Sequence, residues 1–222
     1  MSKDIKKIQK IMRILEKRFP CNEKTTLNRM RHEKNPNATF RILISCLLSL
    51  RTQDKNTEKV SKKLFAIADT PNKIIKLPLK KLEKLIFSSG HYKKKARTIK
   101  HVSEVLLKKY KGKVPDTKDE LLKIKGIGPK TANIVLAFAY GKSVLPIDTH
   151  CHRIPNRLGW ITTKNPIQTE IELNKILPKK YWREFNAIFV QFGKEICQPI
   201  SPWCSKCPIQ EYCKKIGVKT KR

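Results

Sequence analysis

The chain has 222 residues, enough for one or two domains with a full apolar core. Its 39% hydrophobic and 31% charged content excludes an intrinsically disordered chain, and no apolar run approaches the roughly 18 residues of a membrane-spanning helix. Lys and Arg number 50 against 18 Asp and Glu, a formal charge of +32, and such a field commonly meets the phosphate backbone of a nucleic acid. An anionic membrane surface is the rival partner, and a lysine-rich genome or a thermophile surface is the plain alternative. The amino-terminal stretch MSKDIKKIQKIMRILEKRF lacks the uninterrupted apolar core of a signal peptide. Seven cysteines, an odd number, fit a reducing cytoplasm better than secretion.

The pattern is helical nearly throughout, so the expected fold class is all-α. Ile5, Ile8, Met12, Leu15 and Phe19 recur at three- and four-residue steps and define a first helix, with Ser2 as its cap and Pro20 as its end. Phe40 to Leu50 reads as a buried helix or a strand; the helix is preferred because no paired strand pattern flanks it. Further helices are expected over about 55–67, 71–76, 79–88, 92–110, 117–123, 129–140, 149–159, 166–176 and 181–195. Gly90, Gly112, Gly126, Gly128, Gly141 and Gly159 mark turns between or beside them. No internal repeat or low-complexity linker interrupts the chain, which points to two closely packed lobes.

Within this series, Leu121 to Phe138 reads LLKIKGIGPKTANIVLAF. An apolar segment stops at Lys125, a Gly-Ile-Gly turn follows, and Pro129 opens a second apolar helix at the position where its missing N–H costs nothing. Gly126 and Gly128 allow a close backbone approach, and the turn's amides with the positive end of the helix make an anion site suited to phosphate. A bare helix–helix corner is the alternative reading. Lys130 falls in the first turn of that helix, the end at which cations are disfavoured. The same field favours the free amine that an amine nucleophile requires, although one more exposed lysine is the plainer reading. Downstream, Asp148 stands where an apolar, strand-like segment meets a new helix, a typical N-cap position. It either only caps, or supplies a carboxylate near Lys130. His150 and His152 have no third metal ligand nearby and read as packing or phosphate-contacting residues.

Near the end of the chain, Cys197, Cys204, Cys207 and Cys213 are spaced C-x6-C-x2-C-x5-C. Only Cys204 and Cys207 form a short pair, whereas a four-cysteine zinc site usually shows two such pairs. Four thiolates from one compact loop suit a cubane iron–sulfur cluster, with zinc, disulfides or unrelated buried thiols as alternatives.

Together, G-I-G-P-K-T-A-N, then P-I-D-T-H, then the four-cysteine loop resemble the endonuclease III family of helix-hairpin-helix, iron–sulfur DNA glycosylases. The resemblance runs from about Asn37 to Cys213 and includes L-L-S-x-R-T-x-D at Leu47–Asp54 and S-G-H-Y-x-x-K-A at Ser89–Ala96. The stretch N-R-L-G-W at 156–160 is similar to archaeal members. The resemblance implies a two-lobed helix-hairpin-helix fold with a C-terminal [4Fe–4S] cluster loop. One lobe is a six-helix barrel over 32–142, ending in the hairpin at about 117–140; the other combines 1–31 with 143–222, and DNA lies across the cleft between them. It implies Lys130 as nucleophile, Asp148 as essential carboxylate, and the four cysteines as cluster ligands. It further implies DNA contacts from Gly126, Gly128, Arg51, His91 and Lys206, the last with Lys214 and Lys215 nearby.

The implied activity is removal of damaged pyrimidines from double-stranded DNA, with cleavage 3′ to the abasic site through a lysine Schiff base. A monomeric, cytoplasmic protein without membrane attachment is expected. A monofunctional mismatch glycosylase of the same fold lacks the lysine, and a non-catalytic iron–sulfur DNA-binding protein is the rival from another class. Two contact positions depart from the family: Arg51 stands where bacterial members usually carry glutamine, and His91 where they carry a leucine wedge. Pro155 falls inside an expected helix, where it should kink it or remove a hydrogen bond.

Overall fold

A computed structural model describes residues 3–20, 35–50, 52 and 54–222; Ser2 and Arg51 lie outside the described residues. The chain divides into two compact units, Asn22–Lys142 and a discontinuous one made of Met1–Cys21 with Ser143–Arg222. Both are helical, and no strand forms among the described residues. None of their helices is long and apolar enough to cross a membrane.

The discontinuous unit begins with α1 (Lys3–Arg18). The unit at 22–142 holds α2 (Ala38–Ser49), α3 (Asp54–Phe65), α4 (Pro71–Lys76), α5 (Leu79–Leu85), α6 (Tyr92–Tyr110), α7 (Lys118–Leu122) and α8 (Pro129–Tyr140). In α2, Phe40 and every residue from Ile42 to Leu48 are buried; a helix apolar on all sides belongs inside. It packs against α8, which buries Thr131 to Phe138. α6 is amphipathic instead, turning Ile99, Val102 and Leu106 inward, and α4 lies against it. Short helices start where side chains satisfy the first amides: Thr70 accepts from Lys73 N, and Thr117 from Glu120 N.

The helix expected over 79–88 is shorter: α5 ends at Leu85 and a 3-10 turn, Phe87–Ser89, follows. Gly90 and His91 then both adopt left-handed backbone (φ 52° and 50°), which no continuing helix accommodates. The strand-like segment 144–147 is not paired with any other strand.

The discontinuous unit adds α9 (Thr149–Leu158), α10 (Pro166–Ile176) and α11 (Trp182–Glu195). Ile8, Ile11, Met12, Leu15 and Phe19 of the amino-terminal segment enter one core with Ile154, Phe185, Phe189 and Phe192. Phe19 meets Phe192 at 5.5 Å, and Phe185 stacks on Phe189 at 4.0 Å between centroids. At about 1.5–3 kcal/mol for each large apolar side chain, the amino-terminal segment's five contribute on the order of 10 kcal/mol of gross burial. Pro155 is buried in α9, which runs on through it to Leu158; the Cys151 carbonyl loses the N–H that residue 155 would otherwise donate.

Candidate functional site

The Gly-Ile-Gly turn joins α7 to α8. Gly126 has φ +104°, and a Cβ there would stand 2.6 Å from Thr98 Cγ2, so the fold itself requires glycine. Gly128 differs: its φ is −94°, and a Cβ would meet nothing within 4 Å. Buried Ile127 pins the turn, and no side chain caps α8 at Gly128. Pro129 is the first helical residue and Lys130 the second, half-buried and behind the turn. Its charge reaches Cys46, which is buried in α2. Burial pushes that thiol up to about 12, with the positive charge of Lys130 pulling the other way.

In the discontinuous unit, Asp148 caps α9. Its Oδ1 accepts from the amides of His150 and Cys151, each at 2.9 Å. His152 Nδ1 lies 2.7 Å from Thr169 Oγ1, which joins Thr163 in a local network. His150 Nδ1 lies 3.1 Å from Arg153 Nη2, and its ring packs flush on the backbone of Gly193 in α11. Both histidines are therefore packing residues of α9.

The four cysteines come together. Cys197, Cys204, Cys207 and Cys213 line one cavity with Ile154 and Trp203. All four are free thiols. Burial pushes Cys207 up to about 11, and the neighbouring thiols add to it; Cys213 is raised for the same reasons. All four side chains are half-buried around this space. Among the described residues, no group of three or more His, Cys, Asp or Glu side chains is arranged to hold a metal ion. The thiols ring a cavity instead.

Two arginines of α9 fasten this loop. Arg153 Nη2 donates to Cys197 O at 2.7 Å. Arg157 donates to Gln198 O and Pro199 O, both at 2.6 Å, while Cys197 Sγ accepts from its Nη1 at 3.5 Å. The Arg157 carbonyl also accepts from Ile216 N at 3.1 Å. Sequence reasoning missed both arginines, since nothing in a chain with 50 Lys and Arg marks the buried ones. Lys206, exposed, lies over the Trp203 ring at 4.6 Å, and the Lys214 stem covers Gly159. His91 is exposed at the amino-terminal end of α6.

Residues 44–179 match the family described as HhH-GPD superfamily base excision DNA repair protein. Over 206 residues the chain is 46% identical to endonuclease III of Thermotoga maritima, covering 93% of this chain and 92% of that protein. The chain belongs to the endonuclease III family. Endonuclease III of Buchnera aphidicola subsp. Baizongia pistaciae is 38% identical over 176 residues, 79% of this chain and 82% of that one. The solved structure of a trapped endonuclease III–DNA covalent intermediate, an estranged-adenine complex, matches with TM-score 0.85 at 34% identity over 97% of both chains. The all-helical architecture is thus the endonuclease III fold. Membership makes the protein an enzyme of base excision repair, a DNA glycosylase with abasic-site lyase activity.

Proposed function

We propose that this family member acts on damaged pyrimidines and abasic sites in double-stranded DNA, with Lys130 as its nucleophile and Asp148 as its essential carboxylate. The observation that carries the reading is the placement of Lys130 in the first turn of α8, behind a turn whose second glycine the protein itself does not need. The positive helix end and the close-approach surface at Gly128 suit a backbone phosphate, which would bring the adjoining sugar to the lysine.

A base inside the duplex is out of reach, so the nucleotide is first flipped out, at a cost of a few kcal/mol that is least for a poorly stacked lesion. The free amine of Lys130 attacks C1′ and the glycosidic bond breaks, the base leaving with the bonding pair and a proton. Asp148 takes the proton from the amine or steadies positive charge on the sugar. The sugar ring opens to an iminium between C1′ and Nζ, which acidifies C2′. Loss of a C2′ proton expels the 3′ phosphate by β-elimination, and water then hydrolyses the iminium to release the lysine.

For the cysteine loop we propose a [4Fe–4S] cluster held by Cys197, Cys204, Cys207 and Cys213. A cavity ringed by four thiols suits a cubane, in which each iron takes one cysteine, better than a lone tetrahedral ion. Such a cluster has no open iron for substrate, so it supplies shape to the loop. Exposed Lys206 then offers a cation to the DNA backbone, and His91 and Arg51 contact the duplex at the lesion. The protein acts as a cytoplasmic monomer, associated with the nucleoid through DNA.

Borohydride trapping on a duplex with a true abasic site tests the assignment. Wild type should form a covalent complex, and Lys130→Ala should form none while base release falls by roughly 10³-fold or more. A complex that persists in Lys130→Ala removes the Schiff base from this lysine.

A further inference from the structure

We propose that Lys95, through its buried ammonium, is a positioning residue for damage recognition, holding Leu48 and Thr52 against the Ser89–His91 turn in the form that engages a lesion. The inference rests on the DNA-acting function proposed above.

In so basic a chain a lysine has no need to be inside, yet Lys95 is only 7% exposed. Its Nζ donates to Leu48 O at 2.6 Å, to Thr52 Oγ1 at 2.7 Å and to Ser89 O. Three N–H groups meet three acceptors, so the ammonium is saturated. Thr52 Oγ1 also donates to Ser89 O at 2.6 Å, closing a ring of contacts across residues far apart in sequence. Each carbonyl sits at a helix end: Leu48 in the last turn of α2, Ser89 as the last residue of the 3-10 turn. Carbonyls there lack intrahelical donors and carry the negative end of the dipole, which favours a cation. The backbone N–H of Lys95 donates to His91 O at 3.1 Å, so one residue holds the turn by both main chain and side chain. None of its hydrogen bonds goes to a carboxylate, and burial pulls the amine down to about 8.

The arrangement is costly, and its location explains what it serves. Arg51 lies in sequence between Leu48 and Thr52, and His91 follows Gly90 after Ser89. The ammonium thus ties together the two segments bearing the lesion-side contacts, one of them in strained left-handed backbone at His91. An apolar side chain of equal length would fill the space but leave the Leu48 carbonyl without its donor and the two segments joined here by Thr52 Oγ1 to Ser89 O alone.

Affinity for two duplexes tests this, one carrying a tetrahydrofuran abasic analogue that forms no Schiff base and one undamaged. Wild type should prefer the analogue. Lys95→Met should weaken analogue binding about tenfold, the size of one unsatisfied buried group, and change undamaged binding less than twofold. Thr52→Val should lower the preference about threefold, with little further loss when added to Lys95→Met. An unchanged preference in Lys95→Met, or equal losses on both duplexes, overturns the proposal. Should Lys95→Met not fold, Thr52→Val decides alone: a lowered preference supports the role and an unchanged one rejects it. A wild type that shows no preference and no borohydride trapping rejects the underlying function instead, an outcome separable from failure of Lys95 alone.

Discussion

At Asp148 the carboxylate that caps α9 is also the one proposed to handle charge at the sugar, and two substitutions separate these duties. Asparagine caps as well as aspartate, so Asp148→Asn should change stability by less than about 0.5 kcal/mol. Base release should nonetheless fall on the order of 100-fold, because the charge is gone. Asp148→Ala should lose a further ~1 kcal/mol of stability through the two abandoned amides. Chemical denaturation and single-turnover base release read the two effects; wild-type base release in Asp148→Asn would leave only the cap. Position 148 was legible as a cap because a polar residue preceded an amphipathic run. Lys95 was not legible: it belongs to a family-like segment, but its burial depends on acceptors 6 and 47 residues away.

At the level of elements, most helices follow from apolar period and caps, which act locally and can be read from the chain. The split after α5 was missed because the helix gives way at Ile86 to a 3-10 turn, Phe87–Ser89, a change of winding that the apolar period does not mark. A stronger case is Gly193, a glycine in a helix interior, which intrinsic propensity alone would replace. Gly193→Ala would gain up to about 1 kcal/mol of helix propensity on an exposed helix. Here the new Cβ would stand 2.2 Å from His150 Nδ1 and 3.2 Å from Arg153 Nη2, pushing α9 from α11. Overpacking of this kind costs about 1–3 kcal/mol, so a net destabilisation of about 1–2 kcal/mol is expected. His150→Ala in the same background should recover most of it, as thermal unfolding will show; a more stable single variant would contradict the close packing of these helices. The contact was hidden from the sequence because it joins residues 43 positions apart.

For the molecule as a whole, the +32 charge sets how binding responds to salt. If six or more phosphates are neutralised, affinity for undamaged duplex should fall on the order of 10³-fold between 50 and 200 mM salt. A titration showing less than a tenfold fall would mean that most of the charge faces away from DNA. Composition showed this charge directly. The core shared by the first nineteen residues and those from 145 onward has a further consequence during synthesis. The amino-terminal helix is made first, but its partners Phe185, Phe189 and Phe192 follow more than 160 residues after it. At about 5–20 residues per second, it waits on the order of ten seconds with Ile8, Ile11, Met12, Leu15 and Phe19 uncovered. The 22–142 unit has all its own residues earlier and is free to fold in that interval. A nascent chain arrested before α11 should accordingly bind hydrophobic-surface chaperones through its first helix, long after the intervening unit has closed.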